Sequence, residues 1–273
     1  MCGLRPIQSV GEMRFYPPAG AKMRNLTGVL VLATALATSS VQAAEIPFSW
    51  SGFYIGAHGG YGWGDDRHVE AFSPPPPAVL SGLKPSGYIV GGHAGFNWQR
   101  GLFVGGLEFD MTLSKLSATS TIQYPIPPFG NIGTFSRELS IDYFGTVRGR
   151  LGFVPHQSVF LYATGGLAWA KATVDFAQSQ ANVFNSFDSS SATLFGYVVG
   201  AGAEASLASF GLSDVLVRVE YLHHDYGRQG TNANVSAFNP AMGLTGSSSF
   251  QSTGPITVDV VRAGISMKFW PGS

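Results

Sequence analysis

Eight stretches of the sequence alternate apolar with polar residues. An alternation of period two is typical of β-strands, whose successive side chains point to opposite faces of the sheet. Such stretches are long enough to be tilted membrane strands, which need about 9–11 residues each. The predicted strands are Trp50–Trp63, Gly87–Gln99, Leu102–Lys115, Glu138–Val154, Ser158–Val174, Thr193–Ala208, Asp214–Tyr226 and Thr257–Trp270.

The segments that join these strands alternate between long and short. The long connections are Gly64–Ser86, Leu116–Arg137, Asp175–Ala192 and Gly227–Ile256. The short ones are Arg100–Gly101, Pro155–Gln157 and the turn near Ser209–Ser213. Outer-membrane barrels combine short periplasmic turns with longer extracellular loops. The alternation therefore predicts an all-β fold, an eight-stranded antiparallel transmembrane β-barrel built as an up-and-down meander.

The composition agrees with a chain that contacts lipid. Only 12% of the residues are charged and 13% are aromatic, whereas a soluble domain carries about 25% charged residues. The sequence after the first 43 residues contains no apolar run of helix-spanning length. Because backbone groups in a bilayer must be paired, a spanning chain without such a helix has to form a closed barrel.

Nearly all strand charges fall on the face opposite the apolar rows. An arginine on the lipid side at mid-membrane costs about 2–4 kcal/mol, so the charges are predicted to face the lumen. Buried charges need partners, and an eight-stranded interior is just wide enough for its own side chains. We therefore expect an ion-pair network that plugs the lumen. Its predicted members are Glu108, Asp110, Asp142, Arg148, Arg150, Glu204, Arg218, Glu220, Arg262 and Lys268.

Aromatic residues near the strand ends predict the two interfacial girdles of a membrane barrel. These residues are Tyr61, Trp63, Trp98, Trp169 and Trp270, and ordinary packing is the alternative for each of them. Asp259 breaks the sorting of charges because it shares a face with Val261. We expect it at the extracellular rim, where the cost of a charge approaches zero, or beside a bulge.

The histidines are the remaining candidates for chemistry. Adjacent strand residues point to opposite faces, so His223 and His224 cannot share a lumen site unless the strand bends, and we interpret them as part of a polar rim. His58 and His93 lie on the lumen side of neighbouring strands and could meet there, and interior hydrogen bonding explains them as well. The sequence predicts no catalytic constellation, metal site or cofactor, and we expect the protein not to be an enzyme.

The amino terminus has the order of a secretory signal peptide. Lys22 and Arg24 precede an apolar stretch, Leu26–Ala37, and small residues up to Ala43–Ala44. We expect residues 1–22 to be an over-called start, residues 23–43 the signal peptide and residues 44–273 the barrel. Cleavage after Ala43 would remove the single cysteine, Cys2, and leave 12 basic and 15 acidic residues. The remaining chain lacks the concentrated basic surface that nucleic-acid binding requires.

Several stretches resemble one family. Trp50–Gly56 with Gly60–Trp63, and Gly91–Gln99, resemble the first two strands of small alphaproteobacterial outer-membrane immunogenic proteins, relatives of opacity proteins and of the OmpA-type barrel. The stretches that resemble later strands are Gly145–Gly152, Leu161–Ala168, Arg218–Tyr221 and Val261–Gly264. Together they cover most of the chain after residue 43 in the family's order. One departure is that Phe269 is followed by four residues, whereas family members end on that aromatic residue.

The resemblance implies an integral barrel in the outer membrane of a Gram-negative bacterium, with a surface-antigenic or envelope-stabilising role. The partners it implies are outer-membrane lipid and lipopolysaccharide, the barrel-assembly machinery, and extracellular ligands of the long loops. Two alternatives remain open at this point: a porin-like channel for small solutes, and a loop-mediated binder of haemin or another ligand. A third, remote alternative is a barrel enzyme that modifies lipid, which requires a serine–histidine pair facing the outer leaflet.

Overall fold

The computed structural model describes residues 48–66, 69–73, 82–126, 131–180, 184–212, 214–239 and 244–269. Contacts divide the chain into two compact units, residues 1–46 and 47–273, and every described residue belongs to the second unit. The predicted signal peptide, Trp270 and the residues that follow it lie outside the described residues.

Nine strands and one short 3₁₀ helix, Ala208–Phe210, make up the described chain. None of the described residues forms a helix long and apolar enough to cross a membrane. The strands are β1 Gly52–Asp66, β2 Val69–Ser73, β3 Ser86–Arg100, β4 Phe103–Ile126, β5 Asn131–His156, β6 Val159–Gln180, β7 Phe184–Ser206, β8 Val215–Asn239 and β9 Leu244–Phe269.

Eight of these strands close into a ring. From β3 to β9 each strand pairs antiparallel with the next, and β1 pairs with both β3 and β9. The short β2 lies beside β9, from Val69 opposite Thr253 to Ser73 opposite Ser249. The predicted eight-stranded antiparallel meander is therefore confirmed. All neighbours in the described ring of eight strands are paired, which is how a spanning sheet avoids a free edge in a bilayer.

The strands are much longer than a membrane crossing requires. β4 to β9 contain 22 to 26 residues each. Strand pairing runs out to Ile126 opposite Asn131, Gln180 opposite Phe184 and Asn239 opposite Leu244. We call the side with these extensions the hairpin end, and the side with the short turns the turn end.

The prediction that Leu116–Arg137, Asp175–Ala192 and Gly227–Ile256 are loops was wrong, because most of each segment is paired strand. Part of the fourth predicted connection, Gly64–Ser86, also forms a strand, β2. The polar, serine-rich composition of these segments suggested mobile backbone. Outside the bilayer, however, water solvates the outward face of a strand, and a polar sequence can form long hairpins.

A β-bulge interrupts the alternation on β5. The pairing of β4 with β5 shifts between Leu113 and Leu116, and the pairing of β5 with β6 shifts between Ile141 and Tyr143. A bulge places one extra residue in a strand and changes which face the following residues take. Residues before the bulge therefore point inward at odd numbers, and those after it point inward at even numbers.

Candidate functional site

Eight charged side chains meet in the lumen, and they come from five strands, β4, β5, β7, β8 and β9. We call this group the plug: Glu108, Asp110, Arg148, Arg150, Glu204, Arg218, Glu220 and Arg262. Each is at most 3% exposed. Four carboxylates face four guanidiniums, so the plug carries no formal net charge. That balance matters because an uncompensated charge in such an interior is strongly destabilising.

The strand register itself creates three of the charge pairs. Glu108 on β4 lies opposite Arg148 on β5, and their side chains are in contact. Glu204 lies opposite Arg218 across β7 and β8, and Glu220 lies opposite Arg262 across β8 and β9. Directly opposed residues have Cβ atoms about 4.5–5.5 Å apart. These three pairs therefore join neighbouring strands, and they do not require a side chain to reach across the barrel.

Glu108 is the hub of the plug. Its Oε2 accepts hydrogen bonds from Arg218 Nη1 at 2.5 Å and from Arg150 Nη1 at 3.1 Å. The Tyr54 hydroxyl donates to the same oxygen at 2.8 Å, while Arg148 occupies Oε1. Residues from β1, β5 and β8 thus converge on one carboxylate of β4, which ties opposite walls of the barrel together.

The other carboxylates are shared in the same way. Arg262 donates to Glu220 from Nε at 2.8 Å and lies 2.7 Å from it through Nη2. The Asp110 carboxylate is 3.1 Å from Arg148 Nη2 and 3.3 Å from Arg262 Nη1. Glu204 accepts from Arg150 Nη2 at 2.6 Å. Each arginine of the plug therefore bridges at least two carboxylates.

Glycines in the strands provide the room for two tyrosines of this network. A Cβ on Gly95 would lie 2.3 Å from the Tyr54 hydroxyl, and one on Gly202 would lie 2.6 Å from that of Tyr162. Tyr162 donates to Glu220 at 2.8 Å, and its ring centroid is 4.0 Å from the guanidinium carbon of Arg150. The glycines that would weaken an ordinary sheet here allow bulky groups to fill the lumen.

An apolar layer closes the turn end of the lumen. The residues just before β1 contribute to this layer, which the sequence analysis did not predict. Trp50 is 1% exposed and packs 5.4 Å from the Phe160 ring, with Val104, Val154, Tyr162 and Leu216 in the same cluster. The Trp50 backbone N–H donates to Gln99 Oε1 at 2.7 Å. The segment that leads into β1 thus turns into the barrel and covers the plug on the side of the turn end.

A polar layer lies on the other side of the plug. His58 and His93 both face the lumen and lie with 3.3 Å between their Nδ1 atoms, and both are 3% exposed. His58 Nε2 is 2.9 Å from the Thr112 hydroxyl, and His93 Nε2 is 2.8 Å from that of Ser266. Hydrogen bonds to neighbouring side chains account for both rings, in agreement with an interior structural role.

A large apolar cluster fills the lumen toward the hairpin end. We call it the hairpin core. Its larger members include Ile89, Leu116, Leu139, Ile141, Phe144, Val174, Phe176, Leu194, Val198, Leu222, Tyr226, Ile256, Val258 and Val260, each at most 8% exposed. The plug, together with the polar layer of His58 and His93, is therefore enclosed between two apolar layers. In such surroundings water cannot screen the charges, and their attraction to one another is stronger than at a surface.

Two residues predicted to join the plug lie elsewhere. Asp142 points outward, where Thr173 donates to it at 3.1 Å and Lys171 lies 4.0 Å away. The prediction assumed an unbroken alternation along β5, and the bulge reverses it at this residue, which also turns Ile141 inward. Lys268 lies at the turn end, where its Nζ contacts the Ser49 carbonyl and is 4.5 Å from the Phe48 ring centroid.

The adjacent histidines point to opposite faces, as predicted. His224 is fully buried and packs against Phe144, so its assignment to a polar rim was wrong. The error arose because β8 continues to Asn239, well beyond the predicted strand end. His223 points outward and pairs through Nδ1 with Asp259 at 2.7 Å.

The outward carboxylate of Asp259 also accepts from the Tyr221 hydroxyl at 2.6 Å. Hydrogen bonds from two neighbours reduce the cost of a carboxylate on this face. Within the described residues, no group of three or more His, Cys, Asp or Glu side chains is arranged to hold a metal ion.

The predicted girdle residues that are described all lie on the outer wall. Tyr61, Trp63 and Trp98 are 42%, 41% and 64% exposed, and Trp169 is partly covered by Phe109, whose ring centroid is 6.0 Å away. Trp98 lies near the turn end and the other three nearer the hairpin end. Their placement at the two membrane interfaces stays a prediction.

A second buried ion pair, between Arg137 and Asp66, was missed. Arg137 Nη2 lies 3.0 Å from Asp66 Oδ2, and the two side chains are 2% and 0% exposed. Both residues fell in or beside segments that were predicted to be loops. Only the extension of β1 and β5 toward the hairpin end brings them together, and no local signal in the sequence indicates it.

The comparisons with known proteins agree with this geometry. The family model described as an outer membrane protein beta-barrel domain matches residues 29–245. The chain is 33% identical over 201 residues to the 31 kDa outer-membrane immunogenic protein of Brucella melitensis, which covers 67% of this chain and 73% of the relative. It is 31% identical over 194 residues to the 22 kDa outer membrane protein of Rhizobium leguminosarum bv. viciae, covering 70% and 71%.

Solved structures of outer-membrane proteins are similar at low sequence identity. The outer membrane protease OmpT from Escherichia coli is 10% identical with a TM-score of 0.45, covering 82% of this chain and 99% of that one. OprG from Pseudomonas aeruginosa is 12% identical with a TM-score of 0.43, covering 82% and 100%. The family match and the relatives in Brucella and Rhizobium show that the chain belongs to the outer-membrane β-barrel family, among the outer-membrane immunogenic proteins of alphaproteobacteria.

Proposed function

We propose that this outer-membrane barrel is a closed, structural surface protein rather than a channel. Its lumen is sealed by the plug and the two apolar layers, and its long hairpins form the surface that the cell presents outside. The observation that carries the proposal is the burial of all eight plug charges, each at most 3% exposed, between the Trp50 cluster and the hairpin core.

A passing ion would have to replace contacts that are already made. Glu108 alone is held by three arginines and a tyrosine, and a barrel of eight strands leaves little room besides its own side chains. An entering cation would need to displace a guanidinium and leave it buried without a partner. Loss of one partner of such a pair typically costs about 3–5 kcal/mol, which disfavours steady conduction.

The test is conductance in planar lipid bilayers. Folded protein, identified by compact migration on an unheated gel and a shift after boiling, is compared with Arg148→Gln and Glu108→Gln. We expect no reproducible current steps from the wild-type barrel. Regular steps whose size or ion selectivity changes in either variant would show a pathway through the plug and overturn the proposal in favour of a small-solute channel.

We also propose that the protein does not act as a lipid-modifying enzyme. The outward pair of His223 and Asp259 has the geometry of an oriented imidazole, but the third group on that carboxylate is the Tyr221 hydroxyl. A deacylase of the kind considered above needs a serine beside its histidine. Incubation of the folded protein with lipid A should release no fatty acid. Release that is abolished by His223→Gln would contradict this part of the proposal.

A further inference from the structure

The outer wall carries a row of charges where β4, β5 and β6 leave the apolar band, and the next outward charges on β5 and β6, Glu138 and Asp175, lie four residues further toward the hairpin end. Lys115, Asp142 and Lys171 all point outward on these neighbouring strands. The register places them in one row, because Tyr143, next to Asp142, lies opposite both Leu113 of β4 and Lys171 of β6. Strands are about 4.8 Å apart, so the two lysine backbones flank Asp142 at roughly one strand spacing on each side.

The height of this row on the barrel corresponds to the membrane surface. On β4 the outward residues from Phe103 to Leu113 carry no charge, and on β6 the same holds from Leu161 to Trp169. These bands of about ten residues match the length that a tilted strand needs to cross the hydrocarbon. The first outward charge beyond the band is Lys115 on β4 and Lys171 on β6. Since both lie toward the hairpin end, they reach the headgroup level of the outer leaflet.

Two of the three register shifts between β4, β5 and β6 occur at this row, and the third, between Phe153 and His156, lies at the turn end. The two shifts at the row lie between Leu113 and Leu116 and between Ile141 and Tyr143. Bulges commonly re-aim side chains and mark functional positions. Here the bulge turns Asp142 outward between the two lysines, whereas an unbroken strand would have turned it inward. The bulge is therefore what brings Asp142 into the same outward row as the two lysines.

The two lysines of the row are not held tightly by the Asp142 carboxylate. Lys171 Nζ is 4.0 Å from Asp142, and the two side chains are 41% and 44% exposed. An exposed ion pair at that separation contributes little stability. The row itself holds two cations and one carboxylate and is therefore net positive, while Glu138 and Asp175 lie further along the same strands. Long lysine side chains can converge on an anion between them. On the turn-end side of the lysines, Trp169 and Phe109 form an aromatic surface that the apolar part of a lipid can contact.

We propose that Lys115 and Lys171 form a binding site for the phosphorylated headgroup of an outer-leaflet lipid, with the acyl chains along the apolar band of β4 to β6. Asp142 limits the affinity of the site by competing for Lys171. The site lies wholly on the outer wall, so it does not depend on whether the lumen conducts.

The experiment measures binding of lipid A to the folded barrel in a neutral detergent, by native mass spectrometry over a lipid titration. Lys115→Gln and Lys171→Gln should each weaken binding by about fivefold, the usual effect of one basic residue near an anionic lipid surface. Asp142→Asn should strengthen it by a few-fold. Lys84→Gln is the matched control, because Lys84 is also an exposed lysine near the hairpin end but lies apart from the row, and its effect should be negligible.

Two further arms define the ligand. Lipid A with its phosphates removed should bind the wild-type barrel no better than the Lys171→Gln variant binds the phosphorylated form. Inorganic phosphate at millimolar concentration should compete only weakly, since it lacks the acyl chains. Equal binding by all lysine variants, weaker binding by Asp142→Asn, or full competition by inorganic phosphate would overturn the proposal.

Discussion

The two halves of the barrel use the same strands with opposite polarity. In the half that spans the membrane, the inward face carries the plug and the outward face carries residues such as Leu107 and Val219, which are 68% and 52% exposed. In the half beyond the membrane, the inward face carries the outer part of the hairpin core, such as Leu139 and Phe176, and the outward face of β4 carries Ser117, Thr119 and Thr121. The face that is apolar changes because the solvent around the barrel changes from hydrocarbon to water.

This inversion shows what determines the direction of a side chain in such a strand. Backbone pairing continues across the boundary, so it cannot explain the change. In lipid, an outward charge costs about 2–4 kcal/mol at mid-membrane. In water, an apolar side chain gains about 25 cal/mol for each Å² that it buries. The two rules select opposite patterns, and the bulge on β5 lies where one pattern gives way to the other.

The largest expected effect comes from breaking the plug. Glu108→Gln removes the hub carboxylate and leaves Arg148, Arg150 and Arg218 with one partner fewer. We expect the free energy of unfolding to fall by about 3–5 kcal/mol. Urea unfolding in lipid vesicles, followed by tryptophan fluorescence, measures it. A loss below about 1 kcal/mol, the range of an exposed pair, would show that the plug does not hold the barrel together.

The next effect tests the outward face in both halves. Val219→Arg places a cation against hydrocarbon and should cost about 2–4 kcal/mol in the same unfolding assay. Thr119→Arg places it on the outward face beyond the membrane and should change stability by less than about 0.5 kcal/mol. Similar costs at the two positions would mean that the proposed boundary between the halves is misplaced.

A smaller effect is expected from the hairpin core. Leu139→Ala opens a cavity among buried apolar side chains and should cost about 2 kcal/mol, the low end for such changes, since hairpins outside the membrane can partly collapse around the gap. Hydrogen exchange should locate the loss in the outer parts of β4 to β6. Equal loss of protection around Glu108 would show that the two halves unfold as one unit.

The smallest effect concerns the outward row of charges. Asp142→Asn removes an exposed pair with a 4.0 Å separation and should change the unfolding free energy by less than about 1 kcal/mol. The unfolding assay used for Glu108→Gln serves here too. A loss as large as that of Glu108→Gln would place Asp142 inside the lumen, where the sequence alone had predicted it.

The sequence predicted the spanning half well, because one rule governs every position there. Eight of the ten residues predicted for the plug meet in it, including Glu204 and Arg262, which are far apart in the chain. Period two and the cost of a charge in lipid suffice to place them. The pattern also placed His58 and His93 on the lumen side of neighbouring strands, where the two rings lie close together.

The half beyond the membrane could not be predicted by the same rule. Serine-rich and threonine-rich strands resemble loops in composition, so the extension of β8 past Tyr226 was missed. The buried position of the His224 ring was missed with it. A bulge leaves no clear mark in the sequence, which is why Asp142 was assigned to the wrong face. The pair of Arg137 and Asp66 needed both the extensions and the closure of the ring.

Site-specific labelling tests the inversion most directly. Leu107→Cys, Thr119→Cys and Leu139→Cys, each in a chain that lacks Cys2, carry an environment-sensitive fluorophore in barrels reconstituted into lipid vesicles. Lipid-borne nitroxides should quench the label at position 107, an aqueous quencher should reach the label at 119, and neither should reach the label at 139. Aqueous quenching at 107 together with lipid quenching at 119 would contradict a barrel whose apolar face turns from outside to inside at the membrane surface.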